Sequence, residues 1–476
     1  MPPHPAPPQI ADRPLGGNAS RGASVLNADA PIDHIDAYRR VRGGEGSAAA
    51  LAQDPDAVIA TVTEAGLRGR GGAGFPTGVK WRSVGEASDG VAYVVANAAE
   101  GEPAAYKDRW LLRTNPYQVL EGLAIAAHAI GARTAFLALE ASRTVERDAV
   151  ARALDEMDAA GMLGAVRVEV VAGPDAYLFG EETACLEAIE GRPPLPRLLK
   201  PHQVGLFADR GARHPTAVNN AETLAHVPPI LREGAAWFRS RGTAESPGTM
   251  LFTVCGDVDR HAVIELDLGT PLRELVHGVG GGPGDGRVVK AVVPGASAGV
   301  LTGADLDTPL SFEAMAAAGS GLGSGGFAVY DDHACIVSVT ADFARFLAEE
   351  SCGQCPACPT GAAQIADALD RIEAGSGGPE DVERIQAKLA RVTNGSRCGL
   401  PRGTQRVVGS VLERFEDEIL AHLGRACPLP GGRPFPLLVE LDPAAGRFRV
   451  RERGPQARGE GVDATAPSRP VVGARA

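Results

Sequence analysis

The segment SCGQCPACPTG places Cys352, Cys355 and Cys358 at C-x-x-C-x-x-C spacing, and Cys398 follows far downstream in the Gly-flanked loop SRCGLP. Three cysteines packed this tightly suit one face of a cubane [4Fe-4S] cluster, each on a different iron, with the distant fourth completing the set. Structural zinc more often uses paired C-x-x-C knuckles or histidines. The spacing favours the cluster and leaves zinc or unligated thiols open. Cys185, Cys255 and Cys335 lie in apolar runs where a free cysteine behaves as a small hydrophobe, and Cys427 has no evident partner.

A second chemistry-bearing segment is GLRGRGGAGFPTGVKW, with Gly69, Gly71 and Gly74 at G-x-G-x-x-G spacing. A dinucleotide fingerprint needs a strand before it and a helix starting inside it, whereas here a helical stretch precedes and Phe75-Pro76 follows. What survives is physical: clustered glycines let backbone amides approach a flat ring or a phosphate, with Lys80 as counter-charge. The bland reading is a tight surface loop. Three further loops carry polar groups. ANAAEGEPAAYKDR has Asn97, Glu100 and Glu102 beside Lys107, Asp108 and Arg109, after an apolar run; YLFGEETACLEAIEG has Gly180, Glu181 and Glu182 at a helix start; PTAVNNAET has Asn219 and Asn220. Acids at a helix start also serve to complement its dipole, and an Asn pair also serves as a helix cap.

The elements that position these loops alternate. A helical pattern at 55–65 leads into the glycine loop, the apolar runs 92–97, 134–140 and 166–173 read as strands, and helical patterns at 119–130 and 145–160 separate them. Strands alternating with helices define an α/β layered domain, whose ligands sit at the carboxyl ends of the strands. Residues 248–330 read strand, strand, helix, strand, a small α+β module. Helical patterns at 341–350, 361–374, 379–392 and 404–423 form a helical domain. The expected organisation is therefore a tail at 1–32, an α/β domain at 33–242, the α+β module at 248–330, the helical domain at 340–424 and a tail at 425–476.

Composition bounds the function. With 47 basic and 59 acidic residues the net charge is −12, which argues against nucleic-acid binding by counterion release. No apolar run reaches the length of a membrane span, and the first thirty residues lack a signal-peptide pattern, so a cytoplasmic protein is expected.

Taken together and in this order, GLRGRGGAGFPTGVKW, ANAAEGEPAAYKDR, YLFGEETACLEAIEG, PTAVNNAETLAHVPPIL and ESCGQCPACPTG resemble the FMN- and [4Fe-4S]-carrying, NADH-oxidising 51-kDa (F) subunit of complex I. Flavoprotein subunits of NAD-linked formate dehydrogenases and hydrogenases are related to it. The resemblance runs over about 33–423. It implies a Rossmann-like FMN-binding α/β domain without the standard fingerprint, a β-grasp-like soluble-ligand-binding module and a helical bundle carrying a [4Fe-4S] cluster. It also implies that Gly69, Gly71, Lys80, Asn97, Glu100, Gly180, Glu181, Asn219 and Asn220 surround FMN. Phe75, Glu102, Glu182 and Lys200 would face NAD, with Glu102 and Glu182 as the catalytic pair, and Cys352, Cys355, Cys358 and Cys398 would hold the cluster. A hydride would pass from NADH to FMN and single electrons onward. The implied partners are a thioredoxin-like [2Fe-2S] subunit and a larger iron–sulfur subunit, with membrane contact, at the inner face, only through the complex. Rivals are an FMN/[4Fe-4S] subunit with another donor or acceptor, and a non-catalytic assembly subunit.

This chain departs from the family pattern at three places. Ala99 stands where the family has Asp, Arg82-Ser83 replaces an aromatic after Lys80-Trp81, and His202-Gln203 replaces another aromatic after Lys200-Pro201. Only Phe75 remains to stack. Two lost stacks weaken nucleotide binding by about 1–3 kcal/mol, roughly five- to 150-fold.

Overall fold

In the computed structural model, residues 24–451 are described, apart from 29, 285, 428, 430, 431, 443 and 444. Four strands form a wholly parallel sheet: β1 (Tyr93–Asn97), β2 (Thr134–Glu140), β3 (Arg167–Gly173) and β4 (Thr216–Asn220), in the order β3-β2-β1-β4. The central strands are covered on both faces. Val94 and Ala96 join the core beneath the helix Pro116–Ile130, while Val95 meets Phe179, Cys185, Leu186 and Ile189 of the segment around the helix Glu182–Ile189. Because β1 leads to β2 and β3 on one side and β4 returns to its other side, the strand order reverses between β1 and β4. Such a reversal opens a crevice beyond the carboxyl ends of those two strands. Asn97 and Asn220, the last residues of the two, are direct register partners there.

Local chemistry sets the large central helix. Asn115 caps it by accepting from the Gln118 amide at 3.2 Å, Pro116 opens it, and Gly131 ends it with φ 73°. It is largely apolar, with Gln118 and Glu121 as buried polar residues. That carboxylate accepts from the amides of Gly44 (2.8 Å) and Ser47 (2.7 Å) and from the Tyr38 hydroxyl, and so fastens the helices Ile35–Arg40 and Glu45–Leu51 to the core.

Residues 249–331 form a second sheet of five strands: β5 (Thr249–Gly256), β6 (Ala262–Asp267), β7 (Val289–Val293), β8 (Leu301–Thr302) and β9 (Gly326–Asp331). Its order is β6-β5-β9-β7-β8, with β5 and β9 parallel and the other pairs antiparallel, which is a β-grasp arrangement. The helical run TPLRELVHGV is a single short π-helical piece, Glu274–Val279, that buries Leu275, Val276 and Val279 on this sheet. The helices Ile336–Glu349, Cys358–Glu373, Pro379–Leu389, Leu400–Arg414 and Glu416–Ala421 make the helical domain. The single helix expected over 404–423 is broken at Phe415, whose φ of −128° is not helical.

Both expected tails need correction. Residues 24–28 are bonded to the fold and are not a loose end. Val25 and Leu26 are buried, their amides donate to Glu265 of β6, and Leu26 O and Val25 O accept from Asn115 and Gln118 of the α/β domain. β10 (Leu438–Asp442) and β11 (Arg447–Val450) pair antiparallel. Phe448 packs 5.0 Å from the Tyr106 ring, Leu438 O accepts from Arg109 at 2.7 Å, and Phe435 lies against Phe343 and Phe346. The hydrophobic residues of each segment are too widely spaced to show a period, because each fills a site on a different unit. Arg433, also in the expected tail, pairs with Asp257 and Asp331, and residues 1–23 and 452–476 lie outside the described residues.

The β-grasp unit touches the loop after β1 backbone to backbone. A Cβ on Gly326 would lie 2.5 Å from the Ala104 carbonyl carbon and 2.6 Å from the Ala105 nitrogen. Gly326→Ala is therefore expected to cost about 1–3 kcal/mol in a denaturant titration, since neither backbone yields easily; an unchanged midpoint would contradict this contact.

Candidate functional site: a crevice and a four-cysteine cavity

Four loops meet at the carboxyl ends of β1 and β4, and named bonds join each to the next. Gly71 of the glycine loop lies against β4: an added Cβ would sit 3.0 Å from Asn220 Cβ. Asn220 Nδ2 donates to Asn97 O at 3.4 Å, and Asn97 Nδ2 donates to Gly180 O at 2.8 Å. Next to Gly180, Glu182 accepts from Lys80 Nζ at 3.1 Å, and Lys80 also donates to Val218 O of β4 at 2.8 Å. Trp81 Nε1 donates to Asn219 Oδ1 at 2.9 Å. The ring of contacts closes on itself around the strand reversal.

The glycine loop is held from below. Arg70 is wholly buried and donates to the carbonyls of Arg68, Pro247 and Thr249 at 3.0–3.1 Å, while its amide donates to Thr223 Oγ1 at 2.8 Å. Burial lowers this guanidinium to about 10, still charged at neutral pH. The loop requires glycine at Gly74, where φ is 62° and a Cβ would lie 2.6 Å from the Phe312 ring. At Gly69, by contrast, an added Cβ meets nothing nearer than 3.6 Å, and at Gly180 only Ala99 O at 3.2 Å. An added side chain at Gly69 would make ordinary contact with Phe75 O, whereas at Gly180 it would be pressed by Ala99 O.

A buried charge cluster floors the crevice. Lys107 Nζ lies 2.8 Å from Asp108, 2.8 Å from Glu222 and 3.1 Å from Asn220 Oδ1, and Asn220 Nδ2 donates to Asp108 at 2.7 Å. Burial opposes charge at all three ionisable groups. At Lys107 the neighbouring carboxylates outweigh it and hold the ammonium charged. Glu222, with Lys107 and His226 beside it, is held at about 2, and Asp108 is pushed up to about 6.

The structure separates the expected site residues into three groups. Gly69, Gly71, Lys80, Asn97, Gly180, Glu182, Asn219 and Asn220 are brought together as described. Glu100, Glu181 and Glu102 reach the same loops, but their carboxylates are already bonded within the protein. Glu100 accepts from the Asp108 amide at 2.9 Å and from Arg109 Nε at 2.9 Å. Glu181 caps the following helix through the amides of Thr183 and Ala184 at 2.9 Å. Glu102 accepts from the Tyr177 hydroxyl at 2.8 Å and from the Ala296 amide at 2.7 Å, and burial raises its carboxyl. Phe75 is half exposed beside Gly69, whose amide donates to its carbonyl at 2.9 Å. Lys200 is not brought to the crevice by any bond: its turn is tied through Pro201 O to the Thr216 amide, at the amino end of β4, about 13 Å of strand from Asn220.

Sequence reasoning missed Arg70, Trp81, Glu222 and Tyr177 as site-builders. All four stood inside the motifs quoted above, but nothing in their spacing shows that they point inward.

Cys352, Cys355, Cys358 and Cys398 all line one cavity, with Leu178, Gln354, Leu400 and Pro401. No three of these thiols lie mutually within 4.8 Å, a spacing that the ligands of one ion would meet. Thiolates on a single tetrahedral zinc stand about 3.8 Å apart, as Zn–S bonds of about 2.3 Å require. The wider ring fits a cluster that takes one thiolate per iron. Burial pushes the Cys398 thiol up to about 11, so binding must displace protons. The short turn Tyr177–Gly180 joins the two places: Leu178 lines the cysteine cavity, and Gly180 bonds Asn97 in the crevice.

A glycine-loop crevice at an α/β strand reversal, one 3-10 turn away from a four-cysteine cavity, is the arrangement expected of an iron–sulfur flavoprotein. The Nuo51 FMN-binding domain matches residues 62–229, and the NADH-ubiquinone oxidoreductase-F iron-sulfur binding region matches residues 338–422. The chain is 39% identical over 418 residues to the F 2 subunit of NADH-quinone oxidoreductase in Rhizobium meliloti (strain 1021), covering 85% of this chain and 98% of that one. It is 37% identical to the HndC subunit of the NADP-reducing hydrogenase of Solidesulfovibrio fructosivorans, over 83% of this chain and 82% of that one. Its fold is similar to a chain in the crystal structure of an NAD+-reducing [NiFe]-hydrogenase in the H2-reduced state, with a TM-score of 0.74 and 36% identity over 81% of this chain and 66% of that chain. The chain belongs to the family of F subunits of NADH-quinone oxidoreductase: it is the FMN- and [4Fe-4S]-binding oxidoreductase subunit of a multi-subunit complex of the quinone-reductase or hydrogenase kind. No helix among the described residues is long and apolar enough to cross a membrane.

Beneath the crevice, His226 is fully buried, and burial beside Arg70 and Lys107 lowers it to about 4 from an ordinary 6.5. The neutral ring is the folded form, so its contribution is complete above pH 6.5 and is lost as the pH falls from 6.5 towards 4. Asp108, raised to about 6, works in the opposite sense between about 6 and 3.8. The effect is therefore read as a difference. Between pH 7 and pH 5 the wild-type protein is expected to lose about 2 kcal/mol relative to His226→Phe in paired urea titrations, and parallel curves would show that His226 titrates normally.

Proposed function

We propose that this chain oxidises NADH for a partner complex, with the residues of the closed ring as its flavin site. Gly69, Gly71, Lys80, Asn97, Gly180, Asn219 and Asn220 hold FMN, Glu100 and Glu181 shape the loops that carry them, and Cys352, Cys355, Cys358 and Cys398 hold the [4Fe-4S] cluster. When bound, the flavin supplies hydride acceptance from NADH and one-electron release towards the cluster. The observation that carries the reading is the turn Tyr177–Gly180, which borders the crevice at one end and the four-cysteine cavity at the other. Protein residues position and tune: Lys80 offers positive charge at the crevice wall, Phe75 and Glu182 flank the nucleotide, and Arg70 fixes the glycine loop at the right height.

Partners follow from the same reading. The cluster must deliver electrons onward, so we assign a thioredoxin-like [2Fe-2S] companion and a larger iron–sulfur subunit, with a cytoplasmic location and any contact with the inner membrane face made through the complex. A second reading, a flavin–cluster subunit using another donor, is favoured by one feature: Arg82-Ser83 and His202-Gln203 offer no ring to stack on adenine.

Anaerobic reconstitution with FMN, iron and sulfide followed by NADH, NADPH or reduced ferredoxin separates the two. Bleaching of the flavin band by NADH supports the first; bleaching only by another donor supports the second. Lys80 and Glu182 form a partly exposed pair at 3.1 Å, so Glu182→Gln is expected to raise KM for NADH by about tenfold, about 1.4 kcal/mol, with FMN content unchanged. Loss of FMN in that variant would instead place Glu182 in the flavin site.

Arg109 is the buried partner of Glu100 and also holds Leu438 O and Ala105 O. Arg109→Met leaves the carboxylate uncompensated and is expected to cost about 3–5 kcal/mol. FMN should be lost with it, as ligand release on gel filtration would show.

A further inference from the structure

We propose that Cys335, His422 and Cys427 form a second metal site, for one zinc-like divalent ion, at the opposite end of the helical domain from the cluster. One ligand atom from each of the three lies within 4.8 Å of the others, and they are the only such group among the described residues. Cys335 Sγ is 3.3 Å from His422 Nε2. The other ring nitrogen, Nδ1, is 2.7 Å from Glu418 O, so it carries the proton and leaves Nε2 with its lone pair aimed at the thiol. A histidine anchored through its far nitrogen to a carbonyl is the usual support of a metal-bound imidazole. Cys335 Sγ also caps the helix Ile336–Glu349, accepting from the Ser338 amide at 3.4 Å, which fixes the sulfur in place.

The site is distinct from the cluster. Cys335 precedes that helix and Cys352 follows it, so about 20 Å of helix lies between them. The Glu418 carboxylate is already bonded to the Ile336 amide and to Lys290. The protein therefore offers two sulfurs and one nitrogen. A tetrahedral ion held by these three would take water as its fourth ligand, and Cys427 is the one of the three that is partly exposed. Two thiolates and an imidazole in a small tetrahedral space suit Zn2+ over oxygen-preferring ions. On binding, two Zn–S bonds and one Zn–N bond form, and the two thiol protons leave to solvent.

The three ligands come from three places: the turn after β9, the end of the last helix and the segment leading to the β10–β11 hairpin. An ion there would pin that hairpin, and with it Arg109 and Tyr106, against the helical domain.

The test uses the full chain with FMN and cluster in place. Zn2+ is added, excess is removed, and zinc and iron are measured together, followed by alkylation and peptide mass spectrometry. About one zinc per chain with unchanged iron is expected, together with protection of Cys427 by about tenfold or more that a chelator reverses. His422→Ala should keep its iron and lose the zinc. If that variant fails to fold, the protection assay on the wild-type chain decides alone. Equal labelling of Cys427 with and without zinc would overturn the proposal, as would a Cys335–Cys427 disulfide in the non-reduced digest.

Discussion

The buried ammonium of Lys107 is the interaction on which the crevice depends. It sits with no solvent access between Asp108 and Glu222, and it is the one cation among the described residues that meets the end of β4, the helix after β1 and the helix after β4 together. Glu222 extends the link to the second sheet by accepting from the Leu251 amide at 2.8 Å. A charge in such a place is tolerated only because every face of it is paired, and removing one partner strands the others. The geometry of Asn97, Asn220 and Gly71 is thus set by an electrostatic knot beneath them and not by the glycine loop alone.

That arrangement explains why the crevice and the cysteine cavity are built from different units yet lie side by side. The parallel sheet supplies the crevice and the helical domain supplies the thiols. The turn Tyr177–Gly180 belongs to the first and intrudes into the second, with Gln354 of the cysteine segment bonded back to Pro196 O at 3.1 Å. Two prosthetic groups held by rigid, mutually bonded segments keep a fixed separation, which one-electron transfer between them demands.

Much of this was legible in the residues. The run TAFLALE is β2 to the residue, and Pro55–Ala65 is a helix with the expected bounds, because both carry dense apolar patterns. The strand β4 read only as a source of amides: its apolar part, Ala217 and Val218, is too short to show a period, and its burial comes from β1 beside it. Loop position and the family resemblance marked the carboxylates Glu100, Glu181 and Glu102 as chemistry, but neither can say where a carboxylate points. Two of them serve as an internal cap and an ion-pair partner, and at Glu181 the place at a helix start already pointed to that plainer role. Cys335 and Cys427 looked inert for a similar reason. The histidine that joins them is 87 residues from Cys335 in the chain, and only the folded topology brings the three together.

Glu102 shows how the units are coupled. It leaves the loop after β1, accepts from Tyr177 beside the cysteine cavity, and accepts from Ala296 in the β-grasp module. Gly295 must be glycine for this to happen: its φ is 69°, and a Cβ would lie 2.4 Å from the Glu102 carboxylate. One buried acid therefore ties crevice, turn and β-grasp unit at a single point. Burial favours its protonated form while the donors on Tyr177, Ala296 and Ser297 oppose that, so the carboxyl holds its place through hydrogen bonds and not through a counter-ion. A group so constrained cannot swing away without breaking the contact between domains, whereas Glu182 is held through the partly exposed Lys80.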